Sequence, residues 1–258
     1  MTGAGCSTDS GIPDYRDADG AWKRQPPIML GPFIEDELAR KRYWARGLIG
    51  WPHFRRAVPN AAHRSLARFE RQGALELLVT QNVDGLHRAA GSSALIELHG
   101  RADRIRCTSC GLLLTRADFH RELGRRNPSW AALDARAAPD GDADLDGLDF
   151  ASFDVPACGA CGGILKTDVV FFGESVPRER VTASMAALER ANGVLIVGSS
   201  LMVYSGYRFA LSAAKLGKPI AAVNLGCTRA DPLLTLKIAA NCAAALESVA
   251  PEAGRTPD

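Results

Sequence analysis

The stretch Val194–Asn224, VLIVGSSLMVYSGYRFALSAAKLGKPIAAVN, carries the pattern that decides the fold. Val194–Gly198 is a short uninterrupted apolar run. Ser205–Leu216 has helical spacing and stops at Gly217, and Ile220–Asn224 is a second apolar run. Strand, helix and strand in that order form a parallel pair joined by a helical crossover. Runs that are apolar throughout, rather than at alternate positions, belong to a parallel sheet covered on both faces. Leu75–Thr80, Leu95–Leu98 and the shorter Val169–Phe172 read as further strands of this sheet. Helices fall between them: Asn60 is placed to cap one that runs through Leu66 and Phe69 to Gly73, and Pro177 opens another through Met185 and Leu188 to Asn192. The fold class is therefore α/β, a Rossmann-like doubly wound parallel sheet.

Two stretches break the rhythm and predict a smaller zinc-binding and helical subdomain. Gly31–Trp51 is rich in charge and in aromatic residues (Tyr43, Trp44, Trp51) and reads as helical. Residues 103–165 hold Cys107-Thr-Ser-Cys110 and Cys158-Gly-Ala-Cys161, each able to form a tight turn that aims both sulfurs at one point. Two such turns complete a tetrahedral thiolate shell, which suits a structural zinc with no open position for chemistry. Between the pairs, Ala137–Asp149 is rich in Asp, Gly, Pro and Ala and reads as a solvated excursion. The chain then divides into a discontinuous Rossmann-like domain (1–30, 74–102 and 166–250), a small domain made of a helical module (31–73) and a zinc module (103–165), and a tail at 251–258. Cys6, Cys227 and Cys242 read as small buried apolar filler.

Composition narrows the functional classes. With 258 residues, Lys+Arg 31 and Asp+Glu 29 leave a formal charge of +2, so there is no excess of cations with which to neutralise a phosphate backbone, and a nucleic-acid partner is not expected. No apolar run approaches the length of a membrane span, and the start Met1-Thr-Gly-Ala-Gly5 has neither the basic nor the apolar region of a secretion signal. Paired cysteines at metal spacing predict a reduced, cytoplasmic setting, with a monomer favoured.

Met1-Thr-Gly3-Ala-Gly5-Cys-Ser-Thr8 opens as a dinucleotide fingerprint, but Thr8 stands where the third glycine is expected. Its small residues and hydroxyls still permit close backbone approach to a pyrophosphate at a helix N-terminus. Gly198-Ser-Ser200 and Asn224-Leu-Gly226 end two predicted strands, and the carboxyl ends of parallel strands are where such sheets bind ligands.

Taken together, Gly3–Arg16 (GAGCSTDSGIPDYR), Thr80–His87 (TQNVDGLH), Glu97–Gly100 (ELHG), the two cysteine pairs, Val169–Glu174 (VVFFGE), Gly198–Leu201 (GSSL) and Asn224–Gly226 (NLG) resemble the sirtuins, NAD-dependent protein deacylases, over essentially the whole chain. Arg42–Arg46 (RYWAR), Gly50–Phe54 (GWPHF) and Tyr204–Arg208 (YSGYR) resemble the class II branch. The resemblance implies that NAD is consumed, the acyl oxygen of an acyl-lysine attacking the ribose carbon as nicotinamide departs. It also implies that Ile12, Asn82 and Asp84 line the nicotinamide pocket, with Asp84 on the carboxamide and Gln81 on the ribose. Gly3, Ala4, Gly5, Asp14, Tyr15 and Arg16 would surround the phosphates, and Gly198, Ser199, Ser200, Asn224, Leu225, Gly226 and Cys242 the adenosine half. His99 would be the general base, a neutral imidazole taking a proton from a ribose hydroxyl, with Asn82 and Asp84 completing the catalytic set. His63 and His87 read as structural.

Acyl-lysine proteins or peptides are the implied partners, adding a strand along the edge at Val169 and Phe171. Tyr43 and Arg46, three apart on a helix, read first as a surface or core-edge pair; they also resemble a pair that reads acidic acyl groups, which would make acidic or branched acyl-lysines the better substrates. Two positions depart from the family pattern. No apolar strand precedes the glycine loop, so either the chain starts further upstream or a central strand is missing, and Thr167 follows Lys166 where proline is usual. Mono-ADP-ribosyl transfer from NAD, or a catalytically weak NAD-binding scaffold lacking the first strand, are the alternative functions.

Overall fold

A computed structural model describes residues 1–23, 26–135, 139–143, 145 and 147–249. Its strands are β1 (Leu78–Thr80), β2 (Leu95–Glu97), β3 (Gly100–Cys107), β4 (Leu113–Thr115), β5 (Leu165–Val169), β6 (Val194–Val197), β7 (Ile220–Val223) and β8 (Leu236–Ile238). The helices are α1 (Leu30–Glu35), α2 (Glu37–Phe54), α3 (Ala61–Arg71), α4 (Leu86–Ala89), α5 (Arg116–Arg126), α6 (Pro128–Ala131), α7 (Arg178–Arg190), α8 (Tyr204–Lys215) and α9 (Cys242–Val249).

The strand–helix–strand unit read from Val194–Asn224 is present as β6, α8 and β7, with β6 pairing parallel to β7 in the register Val194↔Ile220 to Val197↔Val223. Each strand is apolar throughout because its two faces bury into different cores. Ile196, Ile220 and Ala222 pack with Leu188 of α7 and Ala210 and Ala213 of α8. Val197 and Val223 pack instead with Ala62 and Leu66 of α3 and Leu246 of α9. That period of two places a helical layer on each side of the sheet. β8 extends the sheet beyond β7, and β1 pairs parallel with β2.

The missing central strand is corrected by the structure. Thr2 bridges Thr80 and Val197 in parallel. Its amide donates to the Val79 carbonyl and its carbonyl accepts from Gln81, while Val197 donates to Met1 O and Gly3 donates to Val197 O. Met1–Gly3 thus makes ladder bonds on both sides and joins β1 to β6. Three residues suffice because β1 and β6 are themselves only three and four residues long.

A second correction concerns Val169–Phe172. The strand there is β5, Leu165–Val169, and it pairs antiparallel with β3 outside the parallel sheet, while Phe172 is bridged by Met29. β4, β3 and β5 carry α1, α2, α5 and α6 around a core that includes Phe33, Trp44, Ile105, Leu123 and Phe153. Trp44 lies 4.6 Å from Phe119, and Phe33 lies 5.0 Å from Phe171, centroid to centroid. Thr167 ties this region to α2 and α5: its hydroxyl bonds Tyr43 at 2.7 Å and accepts from Arg116 at 3.1 Å.

The excursion between the cysteine pairs is also not free in solvent. Of its described residues, Ala143 and Leu145 are buried in the same core, together with the following Phe150 and Phe153. Asp142 holds Arg46 of α2 through two bonds of 2.8 Å. A polar composition concealed a few apolar anchors. Residues 137, 138, 144 and 146 of this stretch lie outside the described residues, as does the tail 251–258.

Asn60 caps α3, as its position before the helical pattern predicts: its Oδ1 accepts from the Ala62 amide at 2.9 Å, and His63 closes a capping box. Its Nδ2 also donates to the Cys6 carbonyl and Ser10 Oγ, tying the helix to the glycine loop. Replacing Asn60 with Ala is expected to lower unfolding free energy by about 1–2 kcal/mol in urea titrations, the ordinary cost of losing a helix cap.

Candidate active site

One cleft of about 860 Å³ opens where the carboxyl ends of the parallel strands meet the second layer. The sequence-predicted positions 3–5, 12, 14–16, 81, 82, 84, 99, 169, 171, 198–200, 224–226 and 242 all line it. Tyr43 and Arg46 do not. The Tyr43 ring is wedged 5.2 Å from Phe33 and from Phe171, and the Arg46 guanidinium is engaged by Asp142, so the structure brings neither to an acyl group. Helical spacing put the two side chains on one face, but that face turns into the small core.

The glycine loop leaves Thr2 at the sheet's centre and folds into two single turns, Ala4–Cys6 and Thr8–Ser10, rather than into the start of a long helix. Gly5 donates to the Gly198 carbonyl at 2.9 Å. A Cβ on Gly3 would stand 2.7 Å from Ser199 Oγ, so only glycine lets the loop press against the end of β6. Ser199 in turn accepts from Gln81 Nε2 at 2.7 Å. At the outer rim Asp14 pairs with Lys23, and Arg16 lies 3.8 Å over the Trp22 ring while donating to Gly20 O. On the far wall Asn224 Nδ2 caps Gly226 O, and burial pushes the Cys242 thiol up to about 11, so it stays protonated.

Asn82 and Asp84 are held by one hydroxyl. Asn82 Nδ2 donates to Gly3 O and to Ser7 Oγ, both at 3.0 Å, and Ser7 Oγ donates to Asp84 Oδ2 at 2.7 Å. The Leu86 amide donates to the other carboxylate oxygen at 2.8 Å. Burial raises the Asp84 carboxyl above its usual range, and these two donors pull it back toward the ionised form. Ser7 lies within the glycine-loop motif. Nothing in its spacing signals contact with Asp84, 77 residues away.

His99 stands at the junction between β2 of the parallel sheet and β3 of the antiparallel one. Gly100 follows it with φ +86°, and a Cβ there would stand 2.2 Å from Asp168 O. His99 Nδ1 lies 3.0 Å from the Gln81 carbonyl, which can only accept, so the proton resides on Nδ1 and the lone pair on Nε2. Burial lowers the ring pKa to about 4, with Arg180 and Arg208 adding to the fall and the Gln81 bond opposing it. At neutral pH the ring is an unprotonated base.

The four cysteines of the two pairs also come together. Sγ of Cys107 lies 3.5 Å from that of Cys161, and Sγ of Cys110 lies 3.8 Å from that of Cys158. A tetrahedral zinc with bonds of about 2.3 Å sets its sulfurs ~3.8 Å apart, whereas a disulfide requires about 2.05 Å. The donor set and spacing fit zinc, and all seven cysteines are free thiols. The site lies in the small layer, at the end of β3, and its four positions are all filled by protein. Two further ring systems, His63 and His87, are fully buried 4.6 Å apart beneath the loop and hydrogen-bond Ser7 and Thr2.

A family model described as the Sir2 family matches residues 3–205. The chain belongs to the Sir2 family. A relative from Bordetella pertussis (strain Tohama I), named NAD-dependent protein deacetylase, is 59% identical over 251 residues, covering 97% of this chain and 92% of its own. Among solved structures, a Sir2 with a p53 peptide and NAD+ superimposes with a TM-score of 0.77 at 31% identity, covering 98% of this chain and 91% of its own. A Sir2 variant with deacetylated p53 peptide and 3'-O-acetyl ADP ribose gives 0.78 at 31%, covering 99% and 92%. This Sir2 chain has, among its described residues, no helix long and apolar enough to cross a membrane.

Removing the metal from this Sir2 protein should destabilise it, because binding free energy at a structural site is folding free energy. Chelation or Cys110→Ser is expected to reduce zinc from one ion per chain, measured by plasma mass spectrometry, and to lower Tm in a thermal melt.

Proposed function

We infer that the chain is an NAD-dependent protein deacetylase, removing an acyl group from lysine and passing it to ADP-ribose with release of nicotinamide. One observation carries this reading: a neutral imidazole, His99, in the same cleft as a glycine loop able to approach a diphosphate and a buried carboxylate, Asp84, able to hold a carboxamide. The cleft volume suits a dinucleotide together with the end of an acyl-lysine.

NAD, when bound, supplies a ribose carbon that becomes electrophilic as nicotinamide leaves. The rest of the work belongs to the protein. The backbone of Gly3–Gly5 approaches the phosphates, with Tyr15 and Arg16 at the rim. Asn82 and Asp84, fixed through Ser7, orient the carboxamide and face the positive charge that develops on the sugar. The Gln81 amide, steadied by Ser199, meets the ribose. The strand ends Gly198–Ser200 and Asn224–Gly226, with Cys242, take the adenosine half. The acyl-lysine enters along Val169–Gly173, where Glu174 braces the turn by accepting from the Phe171 amide and pairing with Lys166. His99 Nε2 accepts the proton of a ribose hydroxyl as that oxygen attacks the acyl carbon, while Nδ1 keeps its own proton on Gln81 O.

In the same reading, segments 1–30, 74–102 and 166–250 bind the nucleotide together with α3, which packs on the parallel sheet, while the rest of 31–73 and 103–165 frame the peptide side. Free thiols, four of them gathered for a metal, support a cytoplasmic location.

His99→Tyr is expected to cut turnover of NAD and acetyl-lysine peptide by ~10²–10⁴-fold, read as deacetylated peptide and acyl-ADP-ribose by mass spectrometry, with an unchanged circular dichroism spectrum. Retention of most turnover removes His99 from the base role. Radiolabel passing from NAD into protein, with the acyl group left on lysine, moves the reading to mono-ADP-ribosyl transfer.

A further inference from the structure

Ser205 is the second residue of α8, a place where a serine normally serves a helix end. Here the cap position is Val203, and the Ser205 hydroxyl turns into the cleft and lies 2.8 Å from His99 Nε2, across 106 residues of sequence. The tautomer fixes the direction of this bond. Nδ1 carries the proton because it faces a carbonyl, so Nε2 can only accept, and Ser205 donates to it. The ring is gripped at both nitrogens, by the backbone at the end of β1 and by the first turn of α8. Gly206 lets that turn approach: a Cβ there would stand 2.5 Å from Gln81 Oε1, so the same turn packs on the residue whose carbonyl holds Nδ1.

We propose that Ser205 is a positioning residue for the acyl-transfer step, holding the His99 ring with its Nε2 lone pair directed at the α8 wall of the cleft and keeping that lone pair free of a second proton. The proposal rests on His99 being the base. Its physical basis is twofold. Two hydrogen bonds at opposite corners of the ring fix its plane, which a single bond to Gln81 leaves free to swing. A donor on Nε2 also stabilises the neutral ring over the imidazolium. The charged groups acting on the ring are Arg180 of α7, which donates to Leu98 O, and Arg208 of α8, and both oppose a second proton in the same sense. Ser205 is the contact that specifies direction as well as charge. When the ribose hydroxyl arrives it takes over the place of the Ser205 hydroxyl on Nε2, so the base meets substrate already aligned.

The sign of the pH effect follows. Removing the donor weakens the neutral form, so the ring pKa rises from about 4 and the acidic limb of kcat/KM moves to higher pH, on the order of 0.5–1 pH unit. The test uses the full chain with NAD and acetyl-lysine peptide and compares Ser205→Ala, Ser205→Thr and Ser205→Val, the last two alike in shape and differing in the hydroxyl. Nicotinamide exchange into NAD reads the half of the reaction that precedes the base, and deacetylation reads the whole. Ala and Val are expected to lower kcat for deacetylation roughly two- to tenfold while exchange stays near the native rate, and Thr is expected to restore it. Ring nitrogen NMR of His99 should show the pKa rise in Ala and Val but not in Thr. A native limb and native ratio of deacetylation to exchange in Ser205→Val overturns the proposal, and so does an equal fall in both half-reactions for Thr and Val. His99→Tyr separates the two failures. If it abolishes deacetylation while Ser205→Val does nothing, only the role of Ser205 falls, whereas full activity of His99→Tyr removes the base itself.

Discussion

The seam at Thr2 is the constraint on which the rest of the molecule depends. Its amide and carbonyl bond β1, its neighbours Met1 and Gly3 bond β6, and its side chain reaches Thr80 and the ring of His87. Without that pair of short ladders β1–β2 and β6–β8 are separate sheets, and the glycine loop, Gln81 and Ser199 have no common frame. Because the bonds are parallel and the strands very short, every chain leaving the seam emerges at the same edge. The loop from Gly3, the Gln81–Asp84 turn and the Gly198–Leu201 turn are therefore neighbours, and the cleft is the space between them.

The second layer closes that space from the other side. Its core is largely aromatic, with Phe33, Tyr43, Trp44, Phe119 and Phe171 in edge or tilted contact, and it is tied at one end by four sulfurs. Arg116 is buried between Trp44 and Trp51 and donates to Thr167 and to the Gly47 carbonyl, so its two terminal nitrogens are spent on the layer's own structure. The same holds for Arg46 and Asp142. The cleft inherits from this layer only the stretch around Val169–Glu174, through β5 and its register with β3.

Most of the nucleotide side was legible from residue order. Glycines followed by hydroxyls, an Asn-Val-Asp turn after an apolar run, and polar residues at two further strand ends all signal the carboxyl edge of a parallel sheet, and each came to the same cleft. The acyl side was not legible. Tyr43 and Arg46 satisfied a local criterion, the spacing of one helical face, but which way that face points is set by what packs on α2. The acidic excursion likewise averaged to a polar composition while Ala143 and Leu145, two small contributions to that average, determined where it lies. A ladder of three residues, such as the seam, lies below any periodic signal.

By itself the sequence determined the layers and the two cysteine pairs that gather for zinc. Those follow from short-range regularities: period two in strands, period three to four in helices, two cysteines either side of a turn. Only the tertiary structure decided that Thr2 joins the two halves, that Arg46 is closed off by Asp142, and that Ser205 donates to His99. Each of these pairs residues 78 to 195 positions apart. Such contacts leave no period in the chain, because the distance between the partners is set by packed layers rather than by local backbone geometry.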